Sequence, residues 1–486
     1  MGIGMTKLKK TLLSKSLYRQ CYIICLFACN ISYLHFAAYV VLAFMVIWGA
    51  FLAVYHEITR RTSLKTRFGF WLIAFLVSSV VTMLIHLLDN LFINFVFILH
   101  LAICFFVFYS VHTEKQLNPK RELFNISRVL IYVTTVMGIV GLACMVMGVN
   151  FEFLTVKFII YENRFTGLFT NPNQLGLAAV VSLFCCHMML KRDFVEQSGC
   201  RRMSRIWIGC CAAVNSISLL LCDSNGALVL LIGYAFFFVI YMMFGKESKF
   251  SVKQIIVKSI ACLLAGLVIV SSMFLLRTVC QLGFAELIKT KQSISSQSDK
   301  TDDEDLPEEI TFEHENANVD SGRFVLWQQG TRLFLNNFVF GIGKGNIAEY
   351  GDRMFENGIK FADQYGDLAA WRIDFHNGYL SILVCSGIVG FALFMVFAVR
   401  IFSSTTRHVL RDERLHNSEF PCMYSFLCAY AVYSFVEVTL LFNITFAVLL
   451  FWLILGYTSC YLTKNIPDHP IEHVTIFGRQ FRKTLF

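Results

Sequence analysis

The chain contains twelve apolar runs whose lengths approach or reach what a helix needs to cross a lipid bilayer, about 20 residues. They lie near residues 18–34, 37–56, 67–87, 90–110, 126–148, 173–190, 206–222, 225–244, 256–276, 377–399, 421–438 and 439–462. With 56% hydrophobic and 15% charged residues, the chain is too apolar for a soluble surface. We therefore predict an all-α fold, a polytopic transmembrane helical bundle of about twelve spans. The first two and last two runs have the least certain boundaries.

Basic residues mark one set of connections between these runs. The short odd-numbered turns near Asp89, Ser224 and Glu437 hold none. The even-numbered connections hold Arg60, Arg61, Lys65, Arg67, Lys115, Lys120, Arg121, Lys191, Arg192, Arg201, Arg202, Arg205, Lys246, Lys249, Lys253, Arg407, Arg411 and Arg414. The lysine-rich N-terminal segment leads into an apolar run without a small-residue cleavage site, which predicts that the first helix is retained as an anchor. The positive-inside rule predicts that both termini are cytoplasmic. The same rule explains the net charge of +9 without nucleic acid as a partner.

These boundaries predict three regions. Residues 1–276 would form transmembrane helices 1–9, residues 277–375 a large extracytoplasmic loop, and residues 376–486 helices 10–12 with a cytoplasmic tail. Within the loop, Thr290 to Asp320 is polar and acidic, and we interpret it as a flexible insertion rather than a calcium site because it lacks calcium-loop spacing. Apolar residues at helical spacing from Ser321 to Leu335 predict an amphipathic helix on the outer membrane surface.

The 17 cysteines fall mostly within apolar runs, where they behave as small hydrophobic residues. Neither a disulfide framework nor the Cys and His spacing of a zinc site is present in the sequence. We therefore expect no metal and no cofactor.

The first polar segment of interest precedes the sixth run and extends from Arg164 through Asn171-Pro172-Asn173. A helix that begins there would direct its free N–H groups at the loop, where an anion could bind beside Arg164. The alternative is an ordinary helix cap with an arginine that reaches to the membrane surface.

The second segment contains Gly322-Arg323 and Trp327, followed by Gly341-Ile-Gly343-Lys344-Gly345. Alternate glycines around Lys344 can form a backbone nest for phosphate, although this pattern is weakly specific. Arg323 is the stronger candidate because a guanidinium can grip phosphate through two parallel hydrogen bonds.

The third segment, Asp374-Phe-His376-Asn377-Gly378, lies at the entrance to the tenth run. A neutral imidazole at the membrane surface can accept a proton from a hydroxyl nucleophile. A lone histidine is more often structural. The grouping of His376 with two arginine segments on the same predicted face favours catalysis.

In these segments the chain resembles the O-antigen ligase and O-antigen polymerase superfamily, whose members transfer or polymerise lipid-linked glycans on the outer face of the bacterial cytoplasmic membrane. The quoted motifs are Arg164-Phe-Thr-Gly167-Leu-Phe-Thr-Asn171-Pro172-Asn173, Asp223-Ser224-Asn225-Gly226-Ala227, Ser321-Gly322-Arg323 with Trp327 and Gly341-Ile-Gly343, and His376-Asn377-Gly378-Tyr379-Leu380. The family turn usually carries an arginine between Ser and Gly, and Asn225 occupies that place here. Arg164 and Arg277 are candidates to supply the missing charge.

The resemblance implies a metal-independent, inverting glycosyl transfer in polysaccharide assembly. A polyprenyl-pyrophosphate-linked oligosaccharide would be the donor, and a glycan or lipid hydroxyl the acceptor, with other assembly proteins as further partners. His376 would be the general base, and Arg323 with Arg164 would neutralise the departing pyrophosphate. Predicted substrate contacts are Asn171, Asn173, Asn225, Trp327, Lys344 and Asn377.

Two other classes of function remain open. A transporter, flippase or channel would need ionisable residues at mid-span, for which His86, His100 and Glu437 are the few candidates. Asn225 also leaves open an inactive scaffold of a glycan assembly complex. Polymerase and ligase are not distinguished by the sequence.

Overall fold

A computed structural model describes residues 11–87, 89–113, 118–149, 152–153, 156–157, 159–161, 163–245, 251–298, 322–362, 366, 368–411, 415, 417–465, 473–476 and 479–482. In this part of the chain one helix overlaps each of the twelve predicted apolar runs. These helices, numbered first to twelfth below, are Lys15–Ala28, His35–Arg60, Gly69–Ile85, Leu91–Ile103 with a π-helical continuation Cys104–Tyr109, Pro119–Met147, Pro172–Leu190, Arg205–Leu221, Asn225–Phe244, Val252–Ser298, Gly378–Arg411, Phe420–Tyr433 and Phe446–Asn465.

The remaining elements are short. The helices are Thr62–Lys65, Arg192–Ser198, Arg323–Asn336, Ile347–Met354 and Ala369–Arg372, with 3-10 turns at Val111–Thr113 and Lys344–Asn346. Antiparallel hairpins join Glu152–Phe153 to Val156–Lys157, Ile159–Tyr161 to Arg164–Gly167, and His473–Ile476 to Arg479–Arg482.

The predicted all-α polytopic membrane bundle is confirmed. By length and composition, seven helices of the described residues can cross a membrane, and four shorter ones, Gly69–Ile85, Arg205–Leu221, Phe420–Tyr433 and Phe446–Leu462, are also apolar. The first helix has only 14 residues, about 21 Å at 1.5 Å per residue, and is too short to span a bilayer by itself. Twelve full crossings therefore remain a prediction.

The twelfth helix forms the centre of the bundle and the ninth lies at its margin. Trp452 of the twelfth helix is fully buried and packs against Phe105, with ring centroids 4.8 Å apart. In the ninth helix only 6% of the most apolar window is buried inside the protein. An apolar helix so exposed to its surroundings needs lipid to cover it, which accords with a membrane bundle.

The alternation of the connections between two sides stays a prediction, but segments predicted to share a side contact one another at both ends of the bundle. At one end Asn90 donates to Glu349 at 2.9 Å and His376 contacts Glu437. At the other end Arg19 pairs with Glu122. Connections predicted to share a side thus contact one another. Which end faces the cytoplasm stays a prediction.

The ninth helix continues beyond the predicted start of the large loop. It runs without interruption from Val252 to Ser298, past Arg277 and into the stretch that was predicted to be a flexible insertion. Residues Thr290–Ser298 are helical rather than irregular, because they follow good helix formers such as Ala285, Glu286 and Leu287 and contain no proline. The acidic residues that follow, 299–321, lie outside the described residues.

The tenth helix is interrupted at Gly387, a break that the hydropathy does not reveal. Gly387 has φ 62° and ψ −170°, outside the helical region. The loop segment 338–343 docks at this break, where Ile342 N–H donates to Val384 and Ile388 N–H donates to Phe338, at 3.0 and 2.9 Å. A Cβ on Gly341 would lie 2.6 Å from Gly387 N, so both glycines are needed for this close approach. The loop thereby satisfies backbone groups that the break exposes.

Candidate active site at one end of the bundle

His376 is held in a tight turn at the start of the tenth helix. Asn377 caps that helix, and its side-chain oxygen accepts from the N–H groups of Tyr379 and Leu380 at 3.1 and 3.0 Å. The N–H of His376 donates to Asp374 Oδ1 at 2.8 Å. His376 has φ 45°, in the left-handed region that a side chain other than glycine occupies only at some cost. The turn therefore fixes the direction of the imidazole.

Two carboxylates flank this imidazole. His376 Nδ1 lies 3.2 Å from Glu437 Oε2 and 3.8 Å from Asp374 Oδ1, and the side chain is 37% exposed. Burial by itself lowers the pKa of His376. The charges of Asp374 and Glu437 and the hydrogen bond to Glu437 outweigh burial and the opposing charge of Arg323, so that the pKa of His376 lies at about 9. The resting site thus holds an imidazolium at neutral pH.

Glu437 is brought to the histidine by a close backbone approach. The N–H of Gly378 donates to Ser434 O at 2.7 Å. A Cβ on Gly378 would lie 3.3 Å from the carbonyl oxygens of Ser434 and Glu437. In the sequence Glu437 is recognisable only as an ionisable residue near a span, and no motif places it in the site. The one sequence signal for Glu437 is that it is a carboxylate at the end of an apolar run.

Arg323 joins the same carboxylate from the large loop. It begins the helix Arg323–Asn336, which confirms the helix predicted there, and its Nη2 lies 3.5 Å from Glu437 Oε1. This distance exceeds the roughly 2.7–2.9 Å of a direct ionic hydrogen bond. The Arg323 side chain is 27% exposed. Its guanidinium is therefore loosely paired and accessible to a ligand.

Trp327 lies one turn further along the loop helix and fixes it beside the histidine. Its indole N–H donates to Phe375 O at 3.0 Å, one residue before His376. A Cβ on Gly330 would lie 2.9 Å from both Leu380 and Phe375, so the helix packs closely on the start of the tenth helix. Trp327 positions Arg323 next to His376, and its substrate contact stays a prediction.

Arg164 is buried and links three parts of the chain. It lies in the strand Arg164–Gly167 and donates to Cys222 O at 3.1 Å, to Asp223 O at 3.2 Å and to Asn173 Oδ1 at 2.7 Å. Asn171 is the N-cap of the sixth helix, as expected, because its side chain accepts from Asn173 N–H at 2.7 Å. The arginine is buried and holds the turn before the eighth helix, whereas the alternative interpretation expected an extended, exposed side chain.

That turn, residues 222–226, lies beside the histidine cluster. A Cβ on Gly226 would be 3.2 Å from the Tyr433 ring and 3.9 Å from Glu437 Cγ. The neighbouring Asn225 accepts a hydrogen bond from Arg277 Nη1 at 2.7 Å. Contacts through this turn and Glu437 therefore link three of the predicted segments, those of Arg164, Arg323 and His376. Arg277, a sequence candidate for the missing charge, contacts the same turn.

Lys344 does not form the phosphate nest that the glycine pattern suggested. Its side chain is buried, its ammonium donates to Ile373 O, and burial lowers its pKa. Gly345 N–H, which would have formed part of the nest, donates to Asn94 Oδ1 at 2.8 Å. Because the polar groups of this segment are already bonded within the protein, Lys344 supports the chain that leads to His376 instead of facing a ligand. Among the described residues, no group of three or more His, Cys, Asp or Glu is placed to hold a metal ion.

A bundle of apolar helices with an arginine, histidine and carboxylate cluster at one end defines a class of protein, polytopic membrane proteins with a polar site at the bundle surface. Residues 210–395 match the family model described as O-antigen ligase. This match bears out the predicted resemblance to the O-antigen ligase and polymerase superfamily over these residues. The match includes Asn225, Arg277, Arg323 and His376, but not Glu437. No curated protein matches the chain.

Proposed function

We propose that the protein transfers a glycan from a polyprenyl-diphosphate carrier to a sugar hydroxyl in cell-surface polysaccharide assembly. The observation that carries this proposal is the shared carboxylate: Glu437 contacts the imidazole of His376 and the guanidinium of Arg323. One base and one anion-binding cation thus contact the same carboxylate, so that one substrate can contact both. This is the pair of groups that the transfer needs.

His376 acts as the general base. Glu437 accepts from Nδ1, so that in the neutral imidazole the free lone pair is on Nε2. Nε2 takes the proton of the acceptor hydroxyl as its oxygen forms a bond to the anomeric carbon. The bond from that carbon to the diphosphate oxygen breaks on the opposite face, which inverts the configuration. His376 then releases the proton to water.

Arg323 stabilises the departing diphosphate. Its fork of N–H donors matches two phosphate oxygens, and its loose contact with Glu437 can be exchanged for a ligand. Arg164 contributes positive charge near the site and holds the 222–226 turn in place by donating to its carbonyl oxygens. Asn171 and Asn377 contribute by capping the sixth and tenth helices, and Asn173 contributes by accepting a hydrogen bond from Arg164.

An apolar groove of about 210 Å³ offers a place for the start of the polyprenyl tail. It is lined among others by Tyr379, three residues after His376, and by Leu440, three residues after Glu437. Deeper lining residues include Phe394, Phe397 and Leu455. A tail in this groove would leave the diphosphate near the histidine turn, because the two lining segments are those that carry the site.

The other classes of function have less support among the described residues. His100 is buried in the bundle, where Tyr22 and Cys104 contact it, and His86 contacts Gly341 O and Tyr350. These histidines are bonded within the packed protein and do not form a row of ionisable groups along a path, as a carrier would require.

The test is to incubate the purified protein with a polyprenyl-diphosphate oligosaccharide, with and without a lipid-core acceptor. Longer lipid-linked chains without added acceptor would indicate a polymerase. Products that form only with the second acceptor would indicate a ligase. If no glycan is transferred, while membranes that contain the His376→Ala variant still make polymer, the chain acts as a scaffold and the proposal is wrong.

A further inference from the structure

A buried lysine lies behind the turn that carries His376. Lys344 is 3% exposed, and its ammonium donates to Ile373 O, the carbonyl three residues before the histidine. Burial of an ammonium costs free energy unless the charge is paired and bonded. We infer that Lys344 is a positioning residue, which keeps the Asp374 carboxylate beside the imidazole of His376. This role rests on the proposed function, because it concerns how the base is oriented and charged.

The large loop holds Lys344 from both sides. Before it, Gly343 N–H donates to Cys385 O of the tenth helix at 3.0 Å. After it, Gly345 N–H donates to Asn94 Oδ1 of the fourth helix at 2.8 Å. A lysine side chain has many rotamers, and a fixed backbone and a buried position remove most of that freedom. The ammonium therefore stays at one point behind the histidine turn.

The carboxylate of Asp374 faces both cations. Its Oδ1 accepts from His376 N–H at 2.8 Å and lies 3.8 Å from His376 Nδ1. Burial lowers the pKa of Lys344, and the charge of Asp374 opposes that effect. The thiol of Cys385 and the ring of Phe97 also face the ammonium, and both are uncharged at neutral pH. The attraction to a fixed ammonium keeps Asp374 from turning towards solvent, so the carboxylate remains at the histidine.

The charges that act on the imidazole come from three elements. Burial lowers the pKa of His376, the charges of Asp374 in its own turn and of Glu437 after the eleventh helix raise it, and Arg323 of the loop helix opposes them. Glu437 approaches from a different part of the chain than Lys344 does. An effect of Lys344 on the titration of His376 should therefore pass through Asp374.

A general supporting role for Lys344 makes a different prediction. If Lys344 only holds the loop, its loss should reduce turnover by the same factor at every pH and leave the titration of His376 unchanged. If it keeps Asp374 in place, its loss should move the midpoint of that titration in the same direction as loss of Asp374. The two losses should then not add, because they remove the same interaction.

The experiment follows the pH titration of His376 by carbon-13 NMR of the histidine-labelled full chain in detergent, with His376→Gln to assign the signal. We expect Asp374→Asn to lower the midpoint by on the order of one pH unit, because a charge that raises it is lost. Lys344→Met should lower it by roughly half as much, since the carboxylate is released rather than removed. The double variant Lys344→Met/Asp374→Asn should titrate like Asp374→Asn. Arg353→Met, which removes an exposed cation of the same loop, is the control and should not move the midpoint.

A second variant, Lys344→Gln, removes the charge but keeps a donor for Ile373 O. An unchanged or higher midpoint in the Lys344 variants, shifts that add in the double variant, or loss of folding in both Lys344 variants would overturn the inference.

Glycan transfer, measured on the same samples, separates this role from the proposed function. The expected midpoints together with no transfer by the unmodified protein would support the positioning role and refute the proposed function. Normal transfer by the unmodified protein, with a midpoint that Lys344→Met does not move, would refute only the positioning role.

Discussion

The two ends of the bundle use ion pairs in different ways. At one end Arg19 and Glu122 form a closed pair, with Nε to Oε1 at 2.7 Å and Nη2 to Oε2 at 2.8 Å, and both side chains are almost fully buried. Arg19 Nη1 also donates to Val107 O in the π-helical stretch. At the other end Arg323 lies 3.5 Å from Glu437, and both side chains are partly exposed. The first pair has no room for a ligand, whereas the second can exchange its partner for an anion.

The comparison shows how to distinguish a charge that holds helices together from one that serves chemistry. Loss of one member of a closed, buried pair leaves an uncompensated charge and reduces stability. Loss of one member of an open pair at the surface changes stability little, because solvent already screens the charge. Variants at the open end should therefore impair turnover, and variants at the closed end should impair stability.

The largest expected effect is on turnover, at the open end. His376→Ala removes the base, and general acid–base catalysis typically contributes a factor of about 10² to 10⁴ in rate. Transfer from a polyprenyl-diphosphate oligosaccharide should fall by that factor, while the amount of folded protein in the membrane stays the same. His408→Ala, at the other end, is the control and should transfer normally. Full activity of His376→Ala would exclude the histidine as base.

The next largest effect is on stability, at the closed end. Arg19→Ala leaves Glu122 buried without its partner and should lower the free energy of unfolding by about 3–5 kcal/mol. Thermal unfolding of the detergent-solubilised protein measures this loss. Arg192→Ala, which breaks an exposed pair with Glu196, should change the free energy of unfolding far less, because solvent already screens this pair. Equal losses in the two variants would mean that burial does not distinguish these pairs.

A smaller effect follows from a change of cation that keeps the charge. Arg323→Lys should reduce turnover by roughly tenfold to a hundredfold, because an ammonium cannot form the two parallel hydrogen bonds of a guanidinium. Stability should not change measurably. Arg353→Lys, an exposed residue of the same loop that pairs with Glu349, provides the comparison and should transfer normally. If Arg323→Lys is fully active, the arginine contributes only its positive charge and not two parallel hydrogen bonds.

The smallest effect is a shift in the pH dependence. Because the carboxylates raise the pKa of His376 to about 9, the fraction of neutral base, and with it the rate, should increase with pH and level off above about 9. In Glu437→Gln one raising charge is lost, so the midpoint should move to lower pH by on the order of one unit. A rate that decreases as pH rises through 9 would show that the imidazolium is the active form.

Local signals in the sequence were sufficient for much of the fold. Each apolar run became a helix, and Asn171 became the cap that its Asn-Pro-Asn context predicts. The break at Gly387 was not predictable, because a glycine within an apolar run has the same hydropathy whether or not a loop docks against it. The extension of the ninth helix was not predictable from composition, because a polar segment can be a solvated helix as well as irregular structure.

The site was predictable only in part, for a related reason. Arg323 and His376 were recognised from motifs, and their common face followed from the charge pattern. Glu437 is 61 residues from His376, and a single carboxylate at the end of an apolar run looks the same whether it borders lipid or binds a histidine. Lys344 had a favourable local pattern but points into the protein, which no local pattern reveals.

The sequence by itself determined that this chain is an all-α membrane bundle with its polar motifs grouped at one end, because run length and charge alternation act along the chain and are set by the bilayer. Only the tertiary structure decided which ion pairs are closed and buried and which are open to a ligand. That distinction depends on distances between residues far apart in the chain. It placed Glu437 between His376 and Arg323, and it brought Arg277 to the turn at Asn225.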